Sequence, residues 1–403
     1  MKLDNVKLVL TKYRFSKFQL IIGKDKPVDI ANEMITGFVI NEDFDNEYLP
    51  FFCVELALSN DLYRKITKTK SDGVKANVCL EKGVFKDAVS ANTSKTHTFK
   101  KVFDGKFVVV YPDRTPDMTE VIQKKTEKSN NQYGQLTSLS ILLYSKDFYN
   151  KYDLVVNDVL SNVTLADTTA YILNKVGMKN ILMSPPSNTK KYQQFIITPI
   201  PVCEQLDRLA NTYAMHVKGT VVYFGIKTGY IVSKEQNCTA WKSGENKITY
   251  IGVASSESTP SVGGGYSSST GKYFLLNASD ITSSNNNEVT KHTAGNNVVI
   301  VNNMGNVTKT SKNTKKTTSV ITQNEGDNTA VALKNMIREN KQVITVSLSN
   351  EDIDALTPNK EFVMTFDSAK YKRYNGKYRL TKATHTFSKE GDYFSVTTTA
   401  EFK

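Results

Sequence analysis

The sequence is poor in the residues that usually do chemistry. Among 403 positions there are only four histidines (His97, His216, His292 and His385), four cysteines and one tryptophan, Trp241. No H-E-x-x-H, G-x-S-x-G or phosphate-loop pattern occurs, so zincin, serine-hydrolase and nucleotide-binding readings lack their usual anchors. Gly263-Gly264-Gly265 is not followed by Lys-Ser/Thr, and its Ser-rich flanks read as a linker. Cys53, Cys79, Cys203 and Cys238 show neither C-x-x-C spacing nor a neighbouring histidine, and they are too few for a disulfide scaffold. They read as reduced, mostly buried thiols. The longest apolar runs, such as Phe107–Tyr111 and Val298–Val301, fall far short of the ~20 residues of a membrane span. The opening MKLDNVKLVLTKYRF carries Lys and Asp inside its apolar stretch and has no small-residue cleavage site, which argues against a signal peptide. Synthesis and assembly in the cytoplasm, or exit by a signal-free route, is the expectation.

What is present is a β-rich chain with an excess of positive charge. Hydrophobic residues make up 39% of it, enough for real cores, and the length suggests two to three domains. The net charge is +12, but the lysines are spread along the whole chain. The densest cluster, Lys309, Lys312, Lys315 and Lys316, is interleaved with Ser, Thr and Asn and has no aromatics for base stacking. A solvated loop accounts for it better than a nucleic-acid surface. The acids Glu42, Asp43, Asp45 and Glu47 offer oxygen ligands for Ca²⁺ but lack EF-hand spacing, so an inter-strand loop is the plainer reading. His385, between Thr384 and Thr386, reads as a hydrogen-bonded structural histidine in a strand. A pair of carboxylates distant in sequence stays open as a hydrolytic site, yet nothing singles one out; the expectation is no enzyme, no cofactor and no metal.

Along the chain, Met34–Ile40, Phe51–Leu58, Ala76–Leu80, Lys106–Tyr111 and Leu136–Tyr144 read as strands. Asn60-Asp61, Ser71-Asp72-Gly73 and Asp104-Gly105 read as breakers, and Pro112–Gly134 as a loop or short helix. Val163–Val176 has helical spacing, with Thr164 and Asp167 placed as a capping box and Gly177 as the C-terminal stop. Tyr192–Ile197 is a strand, Val202–Tyr213 a helix opened by Pro199 and Pro201, and Val217–Gly225 with Gly229–Ser233 a strand pair. In residues 255–329, Ser, Thr, Asn and Gly supply 43 of 75 positions, too polar to build a core unaided, with strand-like islands at Tyr273–Leu276 and Asn297–Val301. Asn328 is placed to cap a helix over Ala330–Glu339. Four strands close the chain: Gln342–Leu348, Glu361–Asp367, Gly376–Ser388 and Asp392–Phe402. In the last, Phe394, Val396, Ala400 and Phe402 form one row and Ser395, Thr397, Thr399 and Glu401 the other, as a half-buried antiparallel sheet requires.

The order of these textures, with TLADTTAYILNKVGMKNI and YQQFIITPIPVCEQLDRLANTYAMHVKGTVVYFG in the middle and VSLSNEDIDALTPNKEFVMTF and NGKYRLTKATHTFSKEGDYFSVTTTAEF at the end, resembles the baseplate-hub proteins of phage tails. These are the late-control-protein-D and T-even hub group, whose fold the type VI secretion spike protein shares in its N-terminal half. Leu206, Leu209, Tyr213 and Phe224 match the middle unit. Pro358, Gly376, Tyr378, Leu380, His385, Phe387, Tyr393 and Thr397 match the final domain. The likeness covers 150–250 and 342–403; the first third matches in texture only, and 255–329 has no counterpart.

The resemblance implies an α+β, mainly antiparallel β fold with two tube-type β-barrel domains and a small α+β middle domain. The expected divisions are a first tube domain at 1–150, the middle domain at 151–233, a second tube domain from 234–254 with 330–403, and an insertion at 255–329. It implies a homotrimeric ring that joins a hexameric tail tube to a trimeric central spike and lines the channel of a virion tail. Partners would be tail tube, spike, baseplate wedge and tape measure proteins, with DNA only as transient cargo in the lumen. Alternatives are the tail-tip protein of a non-contractile tail and a cell-wall-binding or hydrolytic tip protein.

Overall fold

A computed structural model of the chain describes residues 10–69, 73–85, 98–111, 136–234, 343–349, 351–359, 361–366 and 375–403, and the backbone of seven short strands between 246 and 323. The helix expected at 330–339, the segment 112–134, Cys238 and Trp241 lie outside the described residues.

The first third is built almost wholly of strands: β1 (Leu10–Ile22), β2 (Val28–Asp29), β3 (Ile35–Asp43), β4 (Phe51–Ser59), β5 (Val74–Phe85), β6 (Lys100–Val110) and β7 (Leu136–Ser145). β1 went unnamed in the sequence because its alternation breaks. Tyr13 and Phe15 point inward, then a bulge between Phe15 and Lys17 shifts the phase, so that Phe18, Leu20 and Ile22 do so next. Asn60-Asp61, expected as a breaker, does end β4, and it also opens the helix Asn60–Lys68. Ser59 accepts a hydrogen bond from the Leu62 amide, and Asp61 sits in the positive first turn. The helix buries Ile66 in the same core as the strands.

The middle unit follows: β8 (Val155–Val163), the helix Leu165–Lys175, β9 (Ile181–Met183), β10 (Tyr192–Pro201), the helix Val202–Asn211, β11 (Thr220–Phe224) and β12 (Gly229–Ser233). Thr164 and Asp167 form the reciprocal capping box that their spacing suggested, and Gly177 takes a φ of 67° just past the C-terminus. The β11–β12 hairpin is apolar on both faces because both are covered. Val222, Phe224 and Ile231 pack on the two helices, while Val221, Tyr223, Tyr230 and Val232 pack on the C-terminal strands.

The rest comprises β13 (Asn246–Tyr250), β14 (Gly265–Ser267), β15 (Lys272–Leu275), β16 (Ile281–Ser284), β17 (Asn297–Asn302), β18 (Val307–Lys309), β19 (Thr318–Gln323), β20 (Val343–Ser349), β21 (Glu361–Phe366), β22 (Gly376–Glu390) and β23 (Tyr393–Phe402). Strands β17–β19 form a small sheet of their own. The terminal hairpin β22–β23 turns over Gly391 and Asp392, with Gly391 at a φ of 61°.

That hairpin organises the molecule. Its outer half completes a closed barrel of eight strands, in the order β22-β3-β4-β7-β6-β5-β1-β23 and back to β22. The barrel is filled with side chains, as expected for eight strands. Phe38 stacks on Phe387 at 4.0 Å, and Phe15, Phe52, Phe107 and Phe394 pack around them. Each such burial contributes about 2–3 kcal/mol. The other half of the hairpin leaves the barrel at a bulge between Leu380 and Lys382. There β22 pairs with β21, which continues to β13, β15 and β14, and β23 pairs with β20 and then β16. This second sheet has its own core of Ile344, Val346, Leu348, Phe362, Leu380 and Phe402. The fold is therefore mostly antiparallel β, with one closed barrel and few helices among the described residues.

Candidate functional site

Barrel closure is uneven. β1 and β5 share twelve register pairs, whereas β1 meets β23 at the single pair Tyr13–Phe394. Beside this thin seam lies the turn Glu351-Asp352-Ile353-Asp354, which follows β20, and every acid in it is engaged. Tyr13 donates its hydroxyl to the Glu351 carbonyl at 2.9 Å and accepts from the Ile353 amide at 3.0 Å. Lys82 on β5 donates to Asp352 at 2.6 Å and to Asp354 at 2.8 Å. Lys227, in the β11–β12 turn, donates to Asp354 at 2.8 Å and to the Val102 carbonyl at 3.0 Å. One four-residue turn thus fastens β1, β5 and the middle-unit hairpin, and Lys227 of that hairpin also reaches β6.

The Glu351 carboxylate reaches deeper. Thr398 on β23 donates to it, and His385 Nδ1 lies 2.6 Å from the Thr398 hydroxyl. His385 Nε2 stands 3.6 Å from Glu42 and its Nδ1 3.7 Å from Glu351. His385, Glu351 and Thr398 are buried. Burial by itself would lower the His385 pKa, but the two flanking carboxylates overcome it and lift it to about 9. The ring is an imidazolium at neutral pH, the shared counterion of two acids. Burial raises the Glu351 carboxyl, and His385 partly offsets that.

A second knot ties the base of the same strands. Asp45 receives both Arg379 guanidinium nitrogens at 2.8 Å, with Lys403 at 3.3 Å and Lys234 at 3.4 Å. Burial would raise this carboxyl, yet the three cations hold it well below the usual range. The acids Glu42, Asp43 and Asp45, weighed above as oxygen ligands, therefore have protein partners. Glu42 faces His385, Asp43 accepts from Asn46 and the Asp45 amide, and Asp45 takes the cations. No cluster of metal-ligating side chains occurs among the described residues.

These groups do not make a reaction centre. Both ring nitrogens of His385 are engaged, and the cavity beside Glu42 and His385 is about 70 Å³, room for a water or two but not for a substrate. They are clasps that fix strands whose own pairing is thin.

The positions matched to the family pattern fall into two groups. Leu206, Leu209, Tyr213 and Phe224 meet in the core of the middle unit, where Tyr213 packs on Phe195 at 5.0 Å. Gly376, Tyr378, His385, Phe387 and Tyr393 lie on the terminal hairpin, where Tyr393 stacks on Phe99 at 5.6 Å. Pro358 lines the small cavity beside His385. Sequence reasoning picked out His385 and the acidic run holding Glu42 but missed Glu351, Thr398, Tyr13, Lys82 and Lys227. The available signal was polarity out of place: Thr398 occupies the apolar row of β23, and Glu351, Asp352 and Asp354 crowd one short turn.

The model of the family described as Bacteriophage PBS1 gene 109 protein matches residues 5–400. No curated protein matches. Among solved structures, the 43 kDa tail protein of prophage MuSo2 from Shewanella oneidensis has a TM-score of 0.50 at 10% identity, covering 95% of this chain and 97% of that one. The tail protein from Neisseria meningitidis MC58 has a TM-score of 0.49 at 10% identity, with 96% of each chain covered. An Escherichia coli component of the type VI secretion system has a TM-score of 0.42 at 9% identity, covering 96% of this chain and 76% of that one.

Proposed function

The chain belongs to the Bacteriophage PBS1 gene 109 protein family, and from that premise we propose that it is a structural baseplate hub of a phage tail, active by shape and not by bond chemistry. Three copies close side by side into a ring that joins a sixfold tail tube to a threefold spike, with the channel along their common axis. Tail tube, spike, wedge and tape measure proteins are its partners, and DNA passes through as cargo.

The observation that carries this reading is the sheet beyond the barrel. Eight strands, β14-β15-β13-β21-β22-β23-β20-β16, hang on the hairpin that also closes the barrel, and β14 and β16 have no further neighbour among the described residues. Open edges of this kind are covered in a stable protein, and pairing across subunits covers them while leaving a hole in the middle. The filled barrel supports the same geometry, because a channel through the particle must then run between subunits. On this reading 1–150 supplies most of the first tube domain, and 234–254 with 330–403 the second, incomplete until neighbours add strands. The face of β8 and β10 is a further support: Val155, Val159 and Ile196 are 57%, 51% and 58% exposed, an apolar stripe suited to burial in an assembly.

Electron microscopy of the purified chain, alone and mixed with tube and spike proteins, tests the proposal. Threefold rings with a central hole are expected, and no clearing of peptidoglycan in a zymogram. A protein that stays monomeric in every mixture overturns it.

A further inference from the structure

A cavity of about 480 Å³ opens where the barrel meets the middle unit, at the ends of β3, β6 and β7. Its walls include Tyr48, Tyr144, Tyr149 and Tyr152, with Asp43 and Glu47 at its side. Tyr144 stacks on Tyr149 at 4.8 Å, and Tyr149 lies 5.9 Å from Tyr152. Tyr48 and Tyr152 also pack on the core of the middle unit, yet all four rings are only half-buried, and none of their hydroxyls has a hydrogen-bond partner among the described residues. Glu47 is exposed and has no ion-pair partner among them either, whereas the other acids of its loop are all engaged.

The cavity has one sign of charge. Among the described residues no lysine or arginine lines it. Burial raises the Tyr48 hydroxyl, and Asp207 and Glu204 push it further in the same direction, so the negative field extends behind the ring. Aromatic faces carry negative electrostatic potential, and several rings around one space, with a free carboxylate at the mouth, make a cage for a cation. The size suits one long side chain and its neighbours. The chain as a whole has the opposite balance, with 52 Lys and Arg against 40 Asp and Glu. A second copy of the chain therefore presents in abundance what this cavity lacks.

We infer that the tyrosine-walled cavity receives a lysine or arginine side chain from a second copy of this chain. The occupant rests on the ring reading above, in which copies meet side by side. It gives each subunit one directional contact, a cation from one neighbour seated in the cage of the next, as a head-to-tail ring interface requires.

The test uses the full chain in two measurements. In the first, Nα-acetyl-lysine methylamide is titrated by calorimetry; it binds, and Nα-acetyl-glutamine methylamide does not. In the second, sedimentation velocity follows self-association. Glu47→Gln and Tyr149→Leu each weaken it by about tenfold, and raised salt or added lysine probe does the same. Glu47 is exposed and has no ion-pair partner among the described residues, so its variant keeps the fold even if Tyr149→Leu does not. Rings that form with unchanged strength in the Glu47 variant overturn the inference and leave the hub reading standing. A wild-type chain that never associates overturns both. Failure of the lysine probe to bind, or tyrosine-dependent binding of a chito-oligosaccharide in its place, overturns the cage.

Discussion

The barrel and the sheet beyond it share two strands, β22 and β23, yet they solve the problem of edges differently. In the barrel every strand has two neighbours and the interior is packed with phenylalanine. In the sheet the order runs out at β14 and β16 among the described residues. The difference teaches that one hairpin can serve both a closed barrel and a sheet that, among the described residues, stays open at its ends. The ionic clasps sit where the two halves join. Asp45 with Arg379 and Glu351 with His385 fasten the hairpin at its sheet-changing point, where a strand that swaps partners has lost regular pairing on one side.

The comparison breaks first if the barrel is not self-sufficient. Phe387→Ala leaves a hole against Phe38 in the barrel core, and a loss of about 3–5 kcal/mol in urea denaturation is expected whether or not the protein is assembled. A loss below 1 kcal/mol would mean that the barrel interior is loosely packed and the division is wrong.

The next effect sharpens the role of the join. The folded-state pKa of His385 lies at about 9, above the ordinary value of about 6.5, so its contribution is complete below pH 6.5 and is lost as pH rises through 9. Thermal unfolding followed from pH 6 to 9.5 should show a stability loss on the order of 3 kcal/mol across that window. In His385→Gln the slope should disappear, with the variant less stable than the wild type at pH 6. A wild-type curve as flat as that of the variant would show that the imidazolium is not held by Glu42 and Glu351.

The smallest effect on stability should be the largest on assembly. Ile196→Lys places a charge on the exposed face of β10, and the change in unfolding free energy is expected within about 0.5 kcal/mol. Ring formation should nevertheless fail in electron micrographs. Normal rings from this variant would remove β8 and β10 from the subunit interface.

Much of the fold was legible where burial is regular. The helix Leu165–Lys175 announced itself by the Thr164–Asp167 box and Gly177, and the rows of β20 and β23 by strict alternation. Legibility failed where local rules bend. β1 hides behind a bulge, and β8 turns Val155 and Val159 outward while Val156 and Leu160 face the core, so its apolar residues fall on both faces. Asn60-Asp61 looks like a turn but starts a helix, because Ser59 before it supplies the cap. The site was legible in part: a histidine and a threonine on the core side of two strands signal a buried polar pair, but their sequence does not say which acids face them.

By itself the sequence determined which residues alternate, which helix ends are capped, and that chemistry-bearing residues are scarce, since these follow from neighbours a few positions apart. Tertiary structure alone decided that the barrel closes with the C-terminal hairpin, that Tyr13 meets a turn 338 residues away, and that Glu42 and Glu351 converge on His385. The physical reason is that burial and charge pairing act through space. The free energy of an imidazolium between two carboxylates depends on which strands the fold brings together, and no local pattern encodes that meeting.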